Sequence, residues 1–376
     1  MKIAVNTRLL LHGKLEGIGR FAHETLKILV AKHPEVEFIF LFDRPFNQEF
    51  IYGKNVTPVV IFPPARHPIL FYWWFEQSVP RVLSKLKPDL FLSPDGYLSL
   101  NSDVLQLPVI HDLNFEHHPL DVPWYNRLHF RHYFPQYAKK AGRIATVSEF
   151  SAKDISQRYG VSRDKIDVVF NGVSSGFSPV DDVQKTITKA KYTGGKPYFL
   201  YWGSINPRKN IVNLMLAFEQ FKKASSNDIQ LVLAGSVAWW TSEMQQTLDS
   251  LTFKSSVHLP GRIPEDALNA LVGSALAVTY IPYFEGFGIP VIEAFSAGVP
   301  VITANITSMP EVAGNAALLV NPFQPETIAQ AMAKLAEDEA LRFDLIKKGL
   351  ERSRMFTWER TADLLWDSVE KTVGGV

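Results

Sequence analysis

Two glutamates that flank a short glycine loop are the side chains best suited to chemistry. Glu285 precedes the loop, Glu293 follows it, and both come after an apolar run that is typical of a strand. Because a carboxylate accepts hydrogen bonds from neighbouring hydroxyl groups, we expect one glutamate to bind a sugar and the other a ribose. Each glutamate alone would more often be a solvated loop residue or a partner of the helix dipole. Their position on one loop favours the binding role.

The loop between the glutamates is suited to phosphate. Gly286 and Gly288 allow backbone amides to approach a ligand closely, and Pro290 fits the first position of a helix, where no donor is required. The unpaired amides and the positive end of that helix attract anions. The predicted ligand-binding residues of this segment are Glu285, Gly286, Phe287, Gly288, Ile289 and Glu293.

A second loop, at residues 203–210, supplies positive charge. Arg208 and Lys209 follow an apolar run and precede an amphipathic stretch whose predicted N-cap is Asn210. A basic pair in a loop is usually solvated, but open α/β sheets bind ligands at the carboxyl ends of their strands. We therefore predict that this pair neutralises a diphosphate and stabilises charge on the leaving group, with Ser204 in the same site.

Two features of the first half complete the candidate site. His111 ends a buried strand, and this position favours it as a catalytic residue; the other histidines of this region, expected at the surface, are His117, His118, His129 and His132. Gly17 and Gly19 formally match a dinucleotide-binding motif, with Asp43 where a ribose-binding acid would lie. The match is weak, because residues 8–16 separate the first strand from Gly17.

Metal chemistry has no sequence signature here. The chain contains no Asp-x-Asp triplet and no cluster of His, Asp and Glu with metal-ligand spacing. We therefore predict no metal and no cofactor. Arg208 and Lys209 would neutralise the diphosphate in place of a metal ion. The aromatic run at residues 71–75 has helical spacing and is predicted to be core.

Composition excludes several classes of protein. The net charge of +1 argues against a nucleic-acid-binding protein, although residues 1–175 carry 21 Lys and Arg against 17 Asp and Glu. So small an excess is more often chance than function, but it is compatible with contact to anionic lipid or a phosphate-bearing acceptor. The absence of cysteine excludes disulfides and thiolate metal sites. With neither a signal-peptide pattern nor a bilayer-spanning run, we predict a cytoplasmic protein, with peripheral contact to the inner face of a membrane left open.

The elements that must position these residues follow from the hydrophobic pattern. Short apolar runs alternate with longer amphipathic stretches from end to end, which is typical of parallel sheets covered by helices. A length of 376 residues suits two domains. We predict an α/β fold with two facing Rossmann-like domains, residues 1–175 and 176–357, and a cleft between them. The segment 358–376 is predicted to be a helix that packs back on the first domain, and residues 171–197 an irregular linker.

Together these residues resemble the retaining glycosyltransferase family 4, whose members have the GT-B fold. The matching positions are Glu285 and Glu293 for its pair of glutamates, Gly286-Phe287-Gly288 for its phosphate loop, Arg208-Lys209 for its cationic pair, Gly17-Ile18-Gly19 for its first-domain loop and His111 for its histidine. Segments 308–314 and 356–359 are also similar to family signatures. The chain departs from the pattern at Ser204, where many members carry an additional arginine, so fewer charges face the phosphates.

The resemblance implies a hexosyltransferase. The first domain would hold a glycan or lipid-linked acceptor, and the second a nucleotide-diphosphate sugar. His111, Glu285, Arg208 and Lys209 would act in catalysis, without a metal and with retention at the anomeric carbon. Among the activities of such enzymes, we expect first the transfer of mannose from GDP-mannose into a bacterial surface polysaccharide. Three alternatives stay open from sequence: a GT-B-fold sugar-nucleotide epimerase, an NAD(P)-dependent oxidoreductase and a non-catalytic sugar-nucleotide sensor.

Overall fold

The structure, a computed structural model, describes residues 1–15, 17–225, 227–237 and 239–375. The chain divides into two compact units, one formed by Met1–Gly172 with Trp358–Val376 and the other by Val173–Thr357. Each unit is a parallel sheet covered by helices, which confirms the predicted class of two Rossmann-like α/β domains.

The first unit contains a seven-stranded sheet. Its strands are β1 (Lys2–Asn6), β2 (Glu37–Phe42), β3 (Val56–Val60), β4 (Leu90–Ser93), β5 (Gln106–Ile110), β6 (Ile144–Thr146) and β7 (Ile166–Val168). Its helices are α1 (Ile18–Lys32), α2 (Pro68–Trp73), α3 (Val79–Leu86), α4 (Asn114–His117), α5 (Trp124–Lys140) and α6 (Glu149–Tyr159). The strand order is β3-β2-β1-β4-β5-β6-β7, so the direction of winding reverses between β1 and β4.

The second unit contains a six-stranded sheet of order β10-β9-β8-β11-β12-β13, in which winding reverses between β8 and β11. Its strands are β8 (Tyr198–Trp202), β9 (Gln230–Ala234), β10 (Val257–Gly261), β11 (Ala277–Tyr280), β12 (Val301–Ala304) and β13 (Ala317–Val320). Its helices are α7 (Asp182–Thr193), α8 (Ile211–Ala224), α9 (Ser242–Ser250), α10 (Glu265–Gly273), α11 (Ile289–Ser296), α12 (Met309–Ala313), α13 (Pro325–Glu337) and α14 (Glu339–Ser353). Strands β8, β9, β11 and β12 are buried along their whole length, as strands covered on both faces must be.

The last helix, α15 (Trp358–Gly374), belongs to the first unit. It packs against α1 and against β5, β6 and β7. The side chains of Trp358, Leu365 and Val369 join the core that contains Phe21. The return of the C-terminal helix to the first unit agrees with the predicted fold class.

The prediction of an irregular linker at residues 171–197 is wrong in its second half, where α7 forms. Asp181 caps this helix by accepting a hydrogen bond from the Gln184 amide at 2.7 Å. Only Thr188 and Thr193 are buried in it, while Val183 and Ile187 are exposed. The helix therefore has no apolar stripe from which sequence could predict it.

Three edge strands, β3, β7 and β10, were not predicted from the hydrophobic pattern. Edge strands are half exposed, so they lack the continuous apolar run of a central strand. Pro58 in β3 and Pro260 in β10 weaken the pattern further, because proline within an apolar run argues against a strand.

Candidate functional site

Both charged loops of the second unit follow the two strands at which winding reverses. The loop of residues 203–210 follows β8, and the loop of residues 281–288 follows β11. These strands are parallel neighbours, with Phe199 paired to Ala277. Open α/β sheets leave a crevice for ligands at such a point. The backbone joins the loops, since the Tyr283 amide donates to the Arg208 carbonyl at 3.0 Å.

Glu285 contacts both cations at this reversal point. Its Oε2 atom forms an ion pair with the ammonium group of Lys209, accepts a hydrogen bond from the Tyr280 hydroxyl at 3.0 Å and lies 4.0 Å from the Arg208 guanidinium. Burial alone would raise the pKa of Glu285, but the two cations outweigh it and lower the pKa to about 2. The carboxylate is therefore ionised throughout the physiological pH range and is suited to accept hydrogen bonds from hydroxyl groups.

Lys209 is held by aromatic as well as acidic partners. It is 8% exposed, and its Nζ atom lies 4.9 Å from the centre of the Tyr280 ring. The Lys209 ammonium also donates to the Tyr280 hydroxyl. Burial, with Glu285 beside it, raises the pKa of Tyr280 well above its ordinary value, so Tyr280 stays protonated. Tyr201 stacks on Tyr280 with nearly parallel rings and fixes this wall of the site.

Asn210 lies at the predicted N-cap position of α8, but its side chain does not cap the helix. Its backbone is left-handed, with a φ of 63°, and its side chain makes no cap hydrogen bond to the helix. The amide instead donates to the carbonyls of Ile281 at 3.2 Å and Pro322 at 2.6 Å. Asn210 therefore ties the loop that carries Arg208 and Lys209 to the loop after β11.

The glycine loop ends where α11 begins. Gly288 has a φ of 97°, and a Cβ atom there would lie 2.5 Å from Cε of Met309, so no other residue fits without displacement. The Ser308 hydroxyl donates to the Glu285 carbonyl at 2.8 Å and braces the loop from behind. Because α11 starts at Ile289, Pro290 occupies its second position. Glu293 is the fifth residue of α11 and is 6% exposed.

His111, at the end of β5 in the first unit, has a defined protonation state. Its Nε2 atom lies 2.8 Å from the Pro94 carbonyl oxygen, which only accepts hydrogen bonds, so Nε2 carries the proton and Nδ1 is the acceptor. Burial lowers the pKa of His111, which keeps the ring neutral. Its ring is nearly perpendicular to that of Phe21 of α1, with centroids 5.0 Å apart.

The two predicted glycines of the first unit lie at the start of α1. Gly17 precedes the helix with a φ of 47°. A Cβ atom on Gly19 would lie 2.8 Å from the Leu9 carbonyl oxygen, so close packing of the loop on the helix requires this glycine. Phe21, two residues on, links this helix start to His111.

The dinucleotide-binding interpretation of this loop has no structural support. β1 ends at Asn6, so Gly17 does not directly follow it. Asp43, the expected ribose-binding acid, is fully buried; it accepts a hydrogen bond from the Ala65 amide at 2.9 Å and pairs with Arg44.

Sequence reasoning missed a buried polar network at the other reversal point, between β1 and β4. Arg8, after β1, forms an ion pair with Asp95, after β4, at 2.5 Å, and lies 4.5 Å from the centre of the Tyr97 ring. Asn6 also donates to Asp95, at 2.8 Å. Because Arg8 and Asp95 are 87 residues apart, no local pattern predicts their pairing. The only sequence signal was the charge of Arg8 near the end of the first strand.

His129 and the aromatic run also depart from prediction. His129, expected at the surface, is 6% exposed and stacks among aromatic rings. In the run predicted to be core, Trp74 and Phe75 are buried, but Tyr72 and Trp73 are 41% and 51% exposed.

Within the part of the chain that the structure describes, no group of three His, Cys, Asp or Glu side chains could hold a metal ion. In the same residues, none of the helices is both long enough and apolar enough to cross a bilayer. Positive charge at the reversal point of the second unit comes from Arg208 and Lys209.

Comparison with protein families accounts for most of the chain. The model described as "Glycosyltransferase Family 4" matches residues 15–176, and the model described as "Glycosyl transferases group 1" matches residues 182–352. The first match includes Gly17, Gly19 and His111, and the second includes Arg208, Lys209 and the loop from Glu285 to Glu293.

Two relatives are named as O-antigen chain mannosyltransferases. The chain is 28% identical to O-antigen chain mannosyltransferase B of Escherichia coli over 92% of this chain and 93% of the relative. It is 30% identical to O-antigen chain mannosyltransferase RfbU of Salmonella typhimurium over 64% of each chain. Among solved structures, Anabaena HepE in complex with UDP and glucose superposes with a TM-score of 0.75, at 15% identity, over 98% of this chain and 99% of HepE.

Proposed function

This chain belongs to the family 4 glycosyltransferases, and we propose that it transfers mannose from GDP-mannose, with retention at the anomeric carbon and without a metal ion. Its activity is that of a hexosyltransferase that uses a nucleotide-linked sugar. The relatives named as O-antigen mannosyltransferases support mannose as the sugar. We propose a glycan or lipid-linked acceptor of surface polysaccharide synthesis, and a cytoplasmic reaction at the inner face of a membrane.

The observation that carries the proposal is the grouping of Arg208, Lys209 and Glu285 at the reversal point between β8 and β11. The two cations lie beside the loop that leads into the N-terminus of α11. Their charge and the helix N-terminus together suit a diphosphate. Arg208 and Lys209 would neutralise it, while Glu285 accepts hydrogen bonds from the sugar and Glu293 from the ribose.

In the proposed reaction the acceptor hydroxyl attacks the anomeric carbon on the face from which the diphosphate leaves. The new bond joins the acceptor oxygen to that carbon, the bond from the carbon to the diphosphate oxygen breaks, and the leaving oxygen takes the acceptor's proton. Arg208 and Lys209 stabilise the charge that develops on the leaving group, as fixed cations in a partly buried site do efficiently. Neutral His111, with Nδ1 as acceptor, would orient a hydroxyl group near the reacting carbon.

A donor screen tests this function. Thermal-shift measurements with GDP-mannose, UDP-glucose, dTDP-glucose and NAD(P) should show the largest stabilisation with GDP-mannose. Proton NMR of the transfer product should show the anomeric configuration of the donor. An inverted product, or turnover that is lost on treatment with EDTA and restored by Mg²⁺, would contradict the proposal; so would epimerisation of the donor when no acceptor is present.

A further inference from the structure

An exposed apolar surface on the first unit takes no part in the chemistry described above. It is formed by α2, α5 and the turn that precedes α5, and we call it the α2–α5 surface. Its apolar side chains are Ile69, Trp73, Leu120, Trp124, Tyr125 and Leu128. Their exposures run from 39% for Tyr125 to 88% for Leu120, although side chains of this size are normally buried.

These side chains form one surface because the elements that carry them are in contact. The ring of His67, just before α2, stacks on Tyr125 of α5 with centroids 5.4 Å apart. The inward faces meet through Phe71 and His129, at 5.6 Å. The Arg127 guanidinium donates to the Pro119 carbonyl and fixes the turn against α5. Since the inward faces are occupied, the apolar side chains between them point to solvent.

The charge on α5 is of one sign. The helix contains Arg127, Arg131, Lys139 and Lys140, and no Asp or Glu. At 3.6 residues per turn, Trp124, Leu128, Arg131 and Lys139 lie along one stripe. Arg131 pairs with Glu116 at 3.2 Å, and Arg127 is held against the turn, so Lys139 and Lys140 set the charge of α5 toward solvent.

We propose that the α2–α5 surface docks on a lipid bilayer that contains anionic headgroups. Tryptophan and tyrosine favour the interface between water and lipid, where an apolar ring and a polar edge are both satisfied. An in-plane helix with aromatic residues at one end and basic residues along its exposed face binds anionic lipid through both effects. This inference deepens the proposed membrane contact by naming its surface, and it rests on the proposed function only through the lipid-linked acceptor.

The test is co-sedimentation of the full chain with vesicles of phosphatidylcholine, with and without about a third phosphatidylglycerol. The parent should bind the mixed vesicles, bind pure phosphatidylcholine more weakly and dissociate as salt is raised. The triple variant Trp73→Ser, Trp124→Ser, Leu128→Ser should lose binding by about tenfold or more, since each large side chain loses its apolar contact with lipid. Lys139→Glu with Lys140→Glu should remove the preference for anionic lipid.

Matched controls are available on the second unit. Trp239 and Phe343 are 52% and 72% exposed, so Trp239→Ser with Phe343→Ser removes comparable apolar surface elsewhere and should leave vesicle binding unchanged. Lys347→Glu on α14 serves the same purpose for charge. Sugar transfer to a soluble acceptor should be unchanged in the triple variant, so a failure of docking and a failure of the proposed reaction are distinguishable.

Three results would overturn the proposal. The parent could fail to bind the mixed vesicles, or the triple variant could bind as the parent does. Sedimentation velocity could also show a dimer that the triple variant converts to monomers, which would mean that a second copy of the chain covers this surface.

Discussion

Lys209 and Glu285, 76 residues apart in the chain, form an ion pair at the point where two adjacent parallel strands end. Lys209 follows β8 and Glu285 follows β11, so the pair spans the reversal in the winding of the sheet. Arg208 lies 4.0 Å from the same carboxylate. This pairing fixes an ionised carboxylate beside two cations, the arrangement that the proposed transfer needs.

Removal of the Lys209 cation should abolish most of the sugar-transfer activity. We expect Lys209→Ala to lower kcat by roughly ten- to a hundredfold, because a charge-assisted interaction with the leaving diphosphate is worth roughly 1.5–3 kcal/mol. The same change leaves buried Glu285 without its nearest cation and should lower the free energy of unfolding as well. Steady-state kinetics and urea unfolding measure the two effects.

A double variant separates the two effects. Lys209→Met with Glu285→Gln removes both charges, so stability should recover toward that of the parent while transfer stays lost. If transfer recovered together with stability, Lys209 would have only a structural role. Lys347→Ala, at an exposed position of α14, is the matched control and should change neither quantity.

The pH dependence of stability should report the ion pair. The pKa of Glu285 is lowered from its ordinary value of 4.5 to about 2, so its stabilisation is complete above pH 4.5 and is lost as pH falls toward 2. The side chain is 13% exposed, and the contribution is on the order of 3 kcal/mol. The difference in unfolding free energy between the parent and Glu285→Gln should therefore shrink between pH 5 and pH 3. A difference that stayed constant over that range would contradict the lowered pKa.

Gly288 should be required for donor binding rather than for folding alone. Gly288→Ala forces a Cβ atom against Met309 at a left-handed position, so we expect the N-terminus of α11 to shift and donor affinity to fall by about tenfold or more. Gly160→Ala is the control, because Gly160 has a φ of 65°, ends α6 and has open space around its Cβ position. It should cost about 1 kcal/mol of stability with donor affinity unchanged. Donor affinity is measured by titration calorimetry. Equal affinities of the two variants would contradict a role of the glycine loop in donor binding.

His129 should limit stability in acid. Burial lowers its pKa to about 4, and its Nε2 atom has no hydrogen-bond partner among the described residues. The unfolded chain takes up a proton below pH 6.5, while the folded chain resists until about pH 4, so stability is lost as pH falls through that window. His129→Phe should remove this loss and stabilise the chain at pH 5 by about 1–2 kcal/mol relative to the parent. An equal effect of the substitution at pH 5 and pH 8 would show that His129 does not titrate in this way.

The sequence predicted those parts of the molecule that depend on local pattern. The strands that carry both charged loops were predictable because each is a short, fully buried apolar run, and the glycine loop was recognisable because glycine, proline and glutamate have distinct requirements at the start of a helix. The two Rossmann-like units follow from the same alternation of apolar runs. The return of α15 was predicted because an apolar-periodic segment follows a complete second domain. The roles assigned to Glu285, Glu293, Arg208, Lys209 and His111 remain predictions.

What the sequence did not predict depends on contacts between distant residues. The ion pair of Arg8 with Asp95 forms only because β1 and β4 are neighbours, an order that no local pattern contains. The burial of His129 likewise follows from packing of α5 against α2. Asn210 was assigned as a cap from its position before α8, but its backbone is left-handed, and its side-chain oxygen accepts a hydrogen bond from the Asn213 side chain at 2.9 Å instead of from a helix amide.

The most direct test of the account is a crystal structure of the full chain with GDP-mannose. We expect the diphosphate oxygens within about 3 Å of Lys209 Nζ and of the first amides of α11, with Glu285 accepting hydrogen bonds from the sugar. A diphosphate bound elsewhere, such as beside Gly17 in the first unit alone, would contradict the central claim that the reversal point between β8 and β11 binds the donor.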